Sequence, residues 1–221
     1  MDGDGTTVIP GDDAPPLVRI LAASLDRTAA RPKEARLMRR LHGRVALRST
    51  TGPQAATIAF AGGVVHVTPR MGREVDVLIE ADLDTMGRPG APKPKVSGVV
   101  RHPRLALGAG RVLDVRPPGG WPGAVDALWD WAEGQDGRPG LLRVVCSDSG
   151  REHVVGRTGG TRAEVHGPEW ALLALFTGAD HLGAAVLEGR VQVLADFPTV
   201  SRLAGLLTRY MLGEDGGGRA A

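Results

Sequence analysis

The chain is short of cysteine, of aromatic residues and of unbalanced charge, and each shortage removes a class of protein. A single cysteine, Cys146, excludes an internal disulfide framework. Aromatic residues are only 4% of the 221, and none interleaves with cations to make a stacking platform for bases. The 27 Lys+Arg against 25 Asp+Glu leave a formal charge of +2, a balance that makes no case for nucleic acid. No apolar run has membrane-spanning length, and the first residues, MDGDGTTVIPGDDAPP, are polar and Pro-rich. The expectation is a cytoplasmic protein. What the chain has in quantity is glycine, 32, and proline, 16. They fall largely between periodic segments, which favours many short elements over disorder. A chain of this length and 42% hydrophobic content builds one large core or two small ones without staples.

Taken in order, residues 1–15 read as a loose leader and 213–221 as a flexible tail. Leu17, Ile20, Leu21 and Leu25 give a helix face. A second helix, RPKEARLMRRLHG, follows Arg31, with Leu37, Met38 and Leu41 inward. Strand-period segments at Val45/Leu47, Ile58/Phe60, Val65/Val67 and Val75/Val77/Ile79, joined by Gly-containing turns, predict an antiparallel meander. A short helix is expected at 81–87, no regular structure in GRPGAPKPK, a broken helix at 97–108 and a strand at 110–115. RPPGGWPG, residues 116–123, reads as a linker in which Trp121 wedges two units together. Helix 124–134 would close the first unit. Strands follow at 141–146, 152–156 and 161–166. Then come apolar helical segments led by Pro168, a strand at Val191/Val193/Ala195, and a closing helix with Leu203, Leu206, Leu207, Tyr210 and Met211 on its stripe.

The second half repeats the first coarsely. HGRVALRSTTG matches PGLLRVVCSDSG, and LGAGRVLDV matches LEGRVQVLAD. The second unit lacks a counterpart of GGVVHVTPRMG. The reading is therefore an α+β chain of two units, 16–115 and 124–212, around the linker 116–123.

Through these residues the sequence resembles the sterol carrier protein-2 superfamily. The likeness is strongest over 141–207, in the turn Ser147-Asp148-Ser149-Gly150, in EVHGPEWALLALFTG and in LEGRVQVLAD. It is fainter over 34–115, in VALRSTTG, VDVLIEADL and LALGAGRVLDV. The resemblance implies a sheet covered on one side by helices, in which several family members enclose a tunnel for acyl chains or sterols. It implies that Leu173, Phe176, Leu182, Val186, Phe197, Leu203 and Leu206 match cavity-lining elements. The second half also resembles the C-terminal domain of mycothiol-dependent maleylpyruvate isomerases. Those enzymes hold zinc with histidines of an N-terminal helical domain, and residues 1–40 contain no histidine, so the isomerase activity is not carried over.

The residues themselves show little catalytic patterning. None of the 6 histidines pairs at helical metal-ligand spacing; His153 and His166 could meet only across strands. No metal and no cofactor is expected. Cys146, with His153 as its nearest base, reads as an inert buried thiol. Asp82 with Asp84, and Asp76 with Glu80, read as a solvated face and lack any sign of a raised pKa. The glycine groups at 108–110 and 156–160 lack a nucleotide-loop context and read as turns. The expected function is non-enzymatic binding of an apolar ligand. The alternatives are a protein-interaction module with filled cores, and a cyclase or isomerase using Asp148 with His153. The helix carrying Arg36, Arg39 and Arg40 is the one local excess of cations, and its expected partner is an anionic membrane surface or an acidic protein.

Overall fold

In the first half of the chain, alternating apolar residues build a sheet whose one face is covered by three helices. The computed structural model describes residues 6–10, 14–72, 74–114, 116–157 and 159–214. The chain divides into two compact units, Met1–Val115 and Arg116–Ala221, and the fold is α+β in both.

The strands of the first unit are β1 (Thr7–Pro10), β2 (His42–Ser49), β3 (Ala55–Ala61), β4 (Val64–Pro69), β5 (Val77–Ala81) and β6 (Lys95–Ser97). Their order across the sheet is β1-β4-β3-β2-β5-β6. Val67, Ile58, Val45 and Val77 stand opposite one another on four neighbouring strands. Directly paired residues share a sheet face, so this row is the floor of the core. The helices are α1 (Pro16–Ala29), α2 (Pro32–Arg40) and α3 (Pro103–Leu113). Each opens on a proline, whose missing N–H costs nothing in a first turn. Leu25, Met38, Leu105 and Val112 seal them onto the row.

The second unit holds α4 (Gly120–Trp131), β7 (Leu141–Cys146), β8 (Glu152–Gly156), β9 (Arg162–Gly167), α5 (Glu169–Phe176), α6 (Leu182–Leu187), β10 (Gln192–Leu194) and α7 (Phe197–Leu212). Its sheet order is β10-β9-β7-β8. Val193, Val165 and Val144 make the inward row, under Leu128, Leu172, Phe176, Leu203 and Leu206 from the helices.

Both sheets follow one scheme. A hairpin forms first (β2–β3, β7–β8). A later strand pairs parallel on the free side of its first member (β9 on β7 directly after the hairpin, β5 on β2 only after β4), and an antiparallel edge follows (β6, β10). The first sheet extends this with β4 against β3 and β1 against β4. In the second, the chain crosses the foot of β7 after Gly156, with Arg157 N donating to Gly140 O and Leu141 N to Thr161 O. Glycine makes the crossing possible. A Cβ on Gly156, at φ +92°, would sit 2.2 Å from Gly140 O and 2.7 Å from Trp129 Cζ2.

Several sequence expectations change. Thr7–Pro10 is a strand paired parallel with β4, so this part of the supposed leader is tied down; residues 1–5, 11–13 and 215–221 lie outside the described residues. The meander stops at β4, because β5 returns to β2 in parallel. In place of a helix at 81–87, β5 ends at Ala81 and residues 83–87 form turns, and Lys95–Ser97 pairs with β5. The expected strand at 110–115 is the end of α3 as far as Leu113; Val115 is outside the described residues. The two Gly-Arg-Val strings are therefore not equivalent, one being helix and the other turn and strand edge. The segment read as a linker belongs to the second unit, and α4 begins inside it at Gly120. Trp121 is 1% exposed in the second unit's core, with Ala124, Val125 and Leu128 of the helix expected to close the first unit.

Trp121→Ala is expected to destabilise the second unit by about 3–5 kcal/mol. Leu107→Ala, at a position 73% exposed, should change stability by no more than about 0.5 kcal/mol. Denaturant unfolding followed by circular dichroism reads both.

Candidate functional site

The residues expected to line a cavity do not all meet. Phe176, Leu182, Leu203 and Leu206 are at most 2% exposed and belong to one continuous core, with Leu173 packed half-buried against it. Val186 and Phe197 turn outward, at 41% and 84% exposure. The cause at Phe197 is the register of α7. Asp196 caps that helix by accepting from Thr199 N at 2.7 Å, and the inward face runs Thr199, Leu203, Leu206, Leu207, Tyr210. Phe197 precedes this series by two residues, about 200° around the helix.

The polar groups named for catalysis are committed elsewhere. His153 Nε2 is 2.7 Å from Asp126 Oδ1 of α4, and its ring meets Trp121 edge-on at 6.2 Å. Asp148 Oδ2 accepts from Glu169 N at 2.7 Å and so caps α5. The Asp148–His153 pair of the enzymatic alternative is thus not assembled. Cys146 is fully buried. His153 lies on the helix side of the second sheet, in register with Val144, and His166 on the opposite side. Among the described residues no group of three His, Cys, Asp or Glu could hold a metal. Asp82 accepts from Thr85 Oγ1, Asp84 N and Thr51 Oγ1, and these bonds hold its carboxyl below the usual range. Arg48 does the same for Glu80. A general acid needs the opposite shift.

The face of the second sheet away from the helices carries a charged network. Arg143 bridges Glu152 and Glu164, and Glu164 also bonds His166 and Arg162. The His166 bond first, and Arg143 second, lower the Glu164 pKa. Beside it a hollow of about 260 Å³ is lined by Ser147, His166, Pro168, Arg190 and Gln192 among others. Arg190 is already paired with Asp180 and Glu188.

A different chemistry gathers on the first unit. An open cleft of about 340 Å³ lies between α2 and α3, lined by Lys33, Glu34, Arg36, Leu37, Arg40 and Arg111. Positions 33, 36, 37 and 40 form one helical stripe, turned away from the buried Ala35 and Met38. Leu37, expected inward, is half-buried: it packs against the core and also forms part of the cleft wall. Arg111 arrives from α3 because Gly108 lets that helix close on Leu41. A Cβ on Gly108 would be 2.4 Å from Leu41 Cδ2. Among the described residues, the side chains of Lys33, Arg36, Arg40 and Arg111 have no carboxylate partner. The expected arginine trio is divided. Arg36 and Arg40 enter the cleft, whereas the stem of Arg39 lies beside Gly63 at the β3–β4 turn. Sequence reasoning missed Arg111 because GRVLDV alternates like a strand. The spacing Leu105, Gly108, Ala109, Val112 after Pro103 was the helical signal available.

Comparison with protein-family models, with curated proteins and with solved structures finds no match for this chain.

The depressed Glu164 pKa has a definite sign. Its stabilising contribution is present at neutral pH and is lost as pH falls through the folded value. Thermal melts should therefore show the second unit weakening as pH drops below about 4, with Glu164→Gln flattening part of that dependence.

Proposed function

We propose that the chain is a non-enzymatic binding module for an apolar ligand, a fatty acyl chain, sterol or lipid-like metabolite, built from two units of sterol carrier protein-2 type. The observation that carries this reading is the strand scheme repeated in both sheets, each with its helices on one face. A ligand would enter between helices and sheet, where each buried methylene contributes about 0.8 kcal/mol. Phe176, Leu182, Leu203 and Leu206 are the side chains such a ligand would meet in the second unit. The engagement of His153 with Asp126, and of Asp148 with α5, favours binding over the cyclase or isomerase alternative. In this reading the protein works in the cytoplasm and meets an anionic membrane through the cations of α2. Among the described residues no helix is long and apolar enough to cross a membrane.

A second reading, a protein-interaction module with filled cores, is favoured by one observation. Phe176, Leu172, Leu175 and Leu203 are completely buried within a continuous cluster.

Native mass spectrometry of protein taken from cells should find co-purified hydrophobic mass, and a fluorescent lipid probe should titrate into the native chain. Phe176→Ala should change probe affinity while costing about 3–5 kcal/mol of stability. Loss of stability with no probe binding in either protein would leave the filled-core reading.

A further inference from the structure

We propose that the cleft between α2 and α3 is a binding site for a phosphate monoester group. The inference deepens the membrane-contact part of the reading above and is independent of any ligand in the interior.

Three guanidinium groups and one ammonium converge there from two helices, against the single carboxylate of Glu34. Arginine is planar, permanently charged and forked, so it meets two phosphoryl oxygens at once. Arg36 and Arg40 are one helical turn apart on α2, and Arg111 faces them from α3. That placement surrounds an anion from two directions, which a single basic helix cannot do. Leu37 supplies an apolar wall for the carbon side of an ester. The volume, about 340 Å³, admits a headgroup-sized molecule. A diester carries one ionisable oxygen, whereas a monoester carries close to two negative charges near neutral pH. Four cations against one carboxylate favour the second.

The phosphoryl group could belong to a lipid headgroup or to a free phosphorylated metabolite. On α3, Leu107 stands one helical turn before Arg111 and is 73% exposed, with Arg104 a further turn back on the same face. Apolar tips beside cations suit a bilayer surface.

The test uses the full chain in two arms. In solution, calorimetry compares glycerol 3-phosphate with dimethyl phosphate. On membranes, co-sedimentation compares phosphatidylcholine vesicles containing phosphatidic acid with vesicles containing phosphatidylglycerol, matched in surface charge. The monoester should bind more tightly than the diester in at least one arm, and the arm that responds identifies the source. Arg111→Gln should weaken that binding about tenfold. Arg39→Gln should leave it unchanged, since Arg39 points away from the cleft. Equal binding of monoester and diester in both arms would overturn the proposal. So would native affinity in Arg111→Gln. Equal losses in Arg39→Gln and Arg111→Gln would also overturn it, while leaving a diffuse electrostatic docking of α2 intact. Interior lipid binding is read separately by the probe titration.

Discussion

In each unit one parallel strand pair at the middle of the sheet, β2 with β5 and β7 with β9, governs where the other elements can go. Parallel neighbours cannot be joined by a tight turn, so the chain has to return to the same end of the sheet before the second strand starts. In the second unit the hairpin itself makes the return, β8 bringing the chain back to the end where β7 starts; in the first, β4 runs away from that end again and a further return is needed. The return ends at the foot of β7 in the second unit, where Gly140, Gly156 and Gly160 permit backbone to pass backbone. In the first it follows β4, where Arg70 takes a left-handed φ of 76° and Thr57 Oγ1 donates to Arg70 O and accepts from Gly72 N. Thr57 is buried by that return although it points away from the helices.

Once the parallel pair is in place, one face of each sheet is the only dry one. The inward rows of valine and isoleucine are too narrow to hide themselves, and the helices cover them with leucine, methionine and tryptophan. The outward faces stay polar for the same reason: Arg48 with Glu80 in the first sheet, and Arg143 with Glu152 and Glu164 in the second. These ion pairs are exposed enough to contribute modestly to stability. Their commitment to each other distinguishes them from the cations of the α2–α3 cleft. There, Glu34 is the one carboxylate among the lining residues against Lys33, Arg36, Arg40 and Arg111, which leaves a local excess of positive charge.

Most strands and the helices α1, α2, α5, α6 and α7 were legible from periodicity, because each buries its own apolar residues on one face. The helix faces were less so. In α1 the fully buried residues are Val18, Ala22, Ala23, Leu25 and Thr28, and of the other expected residues Leu17 and Leu21 pack half-buried against the same core. The cavity-lining set is what the family resemblance implies, and Phe176, Leu182, Leu203 and Leu206 of that set lie in the interior. Val186, expected on the inner face of its helix, and Phe197 are turned out instead.

By itself the sequence determined the α+β class, the apolar content of the last helices, the short second unit and the cation-rich face of α2, all properties of residues within one turn or one strand. Tertiary structure alone decided the strand order, the fate of the two Gly-Arg-Val strings and the membership of the cleft. At Gly110-Arg111-Val112 the local alternation fits a strand, but Leu105, Ala109 and Val112 bury only as a helix laid against α2. That choice depends on the notch at Gly108 and on Leu41, far away in the chain. It is the reason Arg111 stands opposite Arg36 and Arg40. Long-range packing overrides local pattern wherever the free energy of burying a side chain exceeds the small backbone preference of its segment.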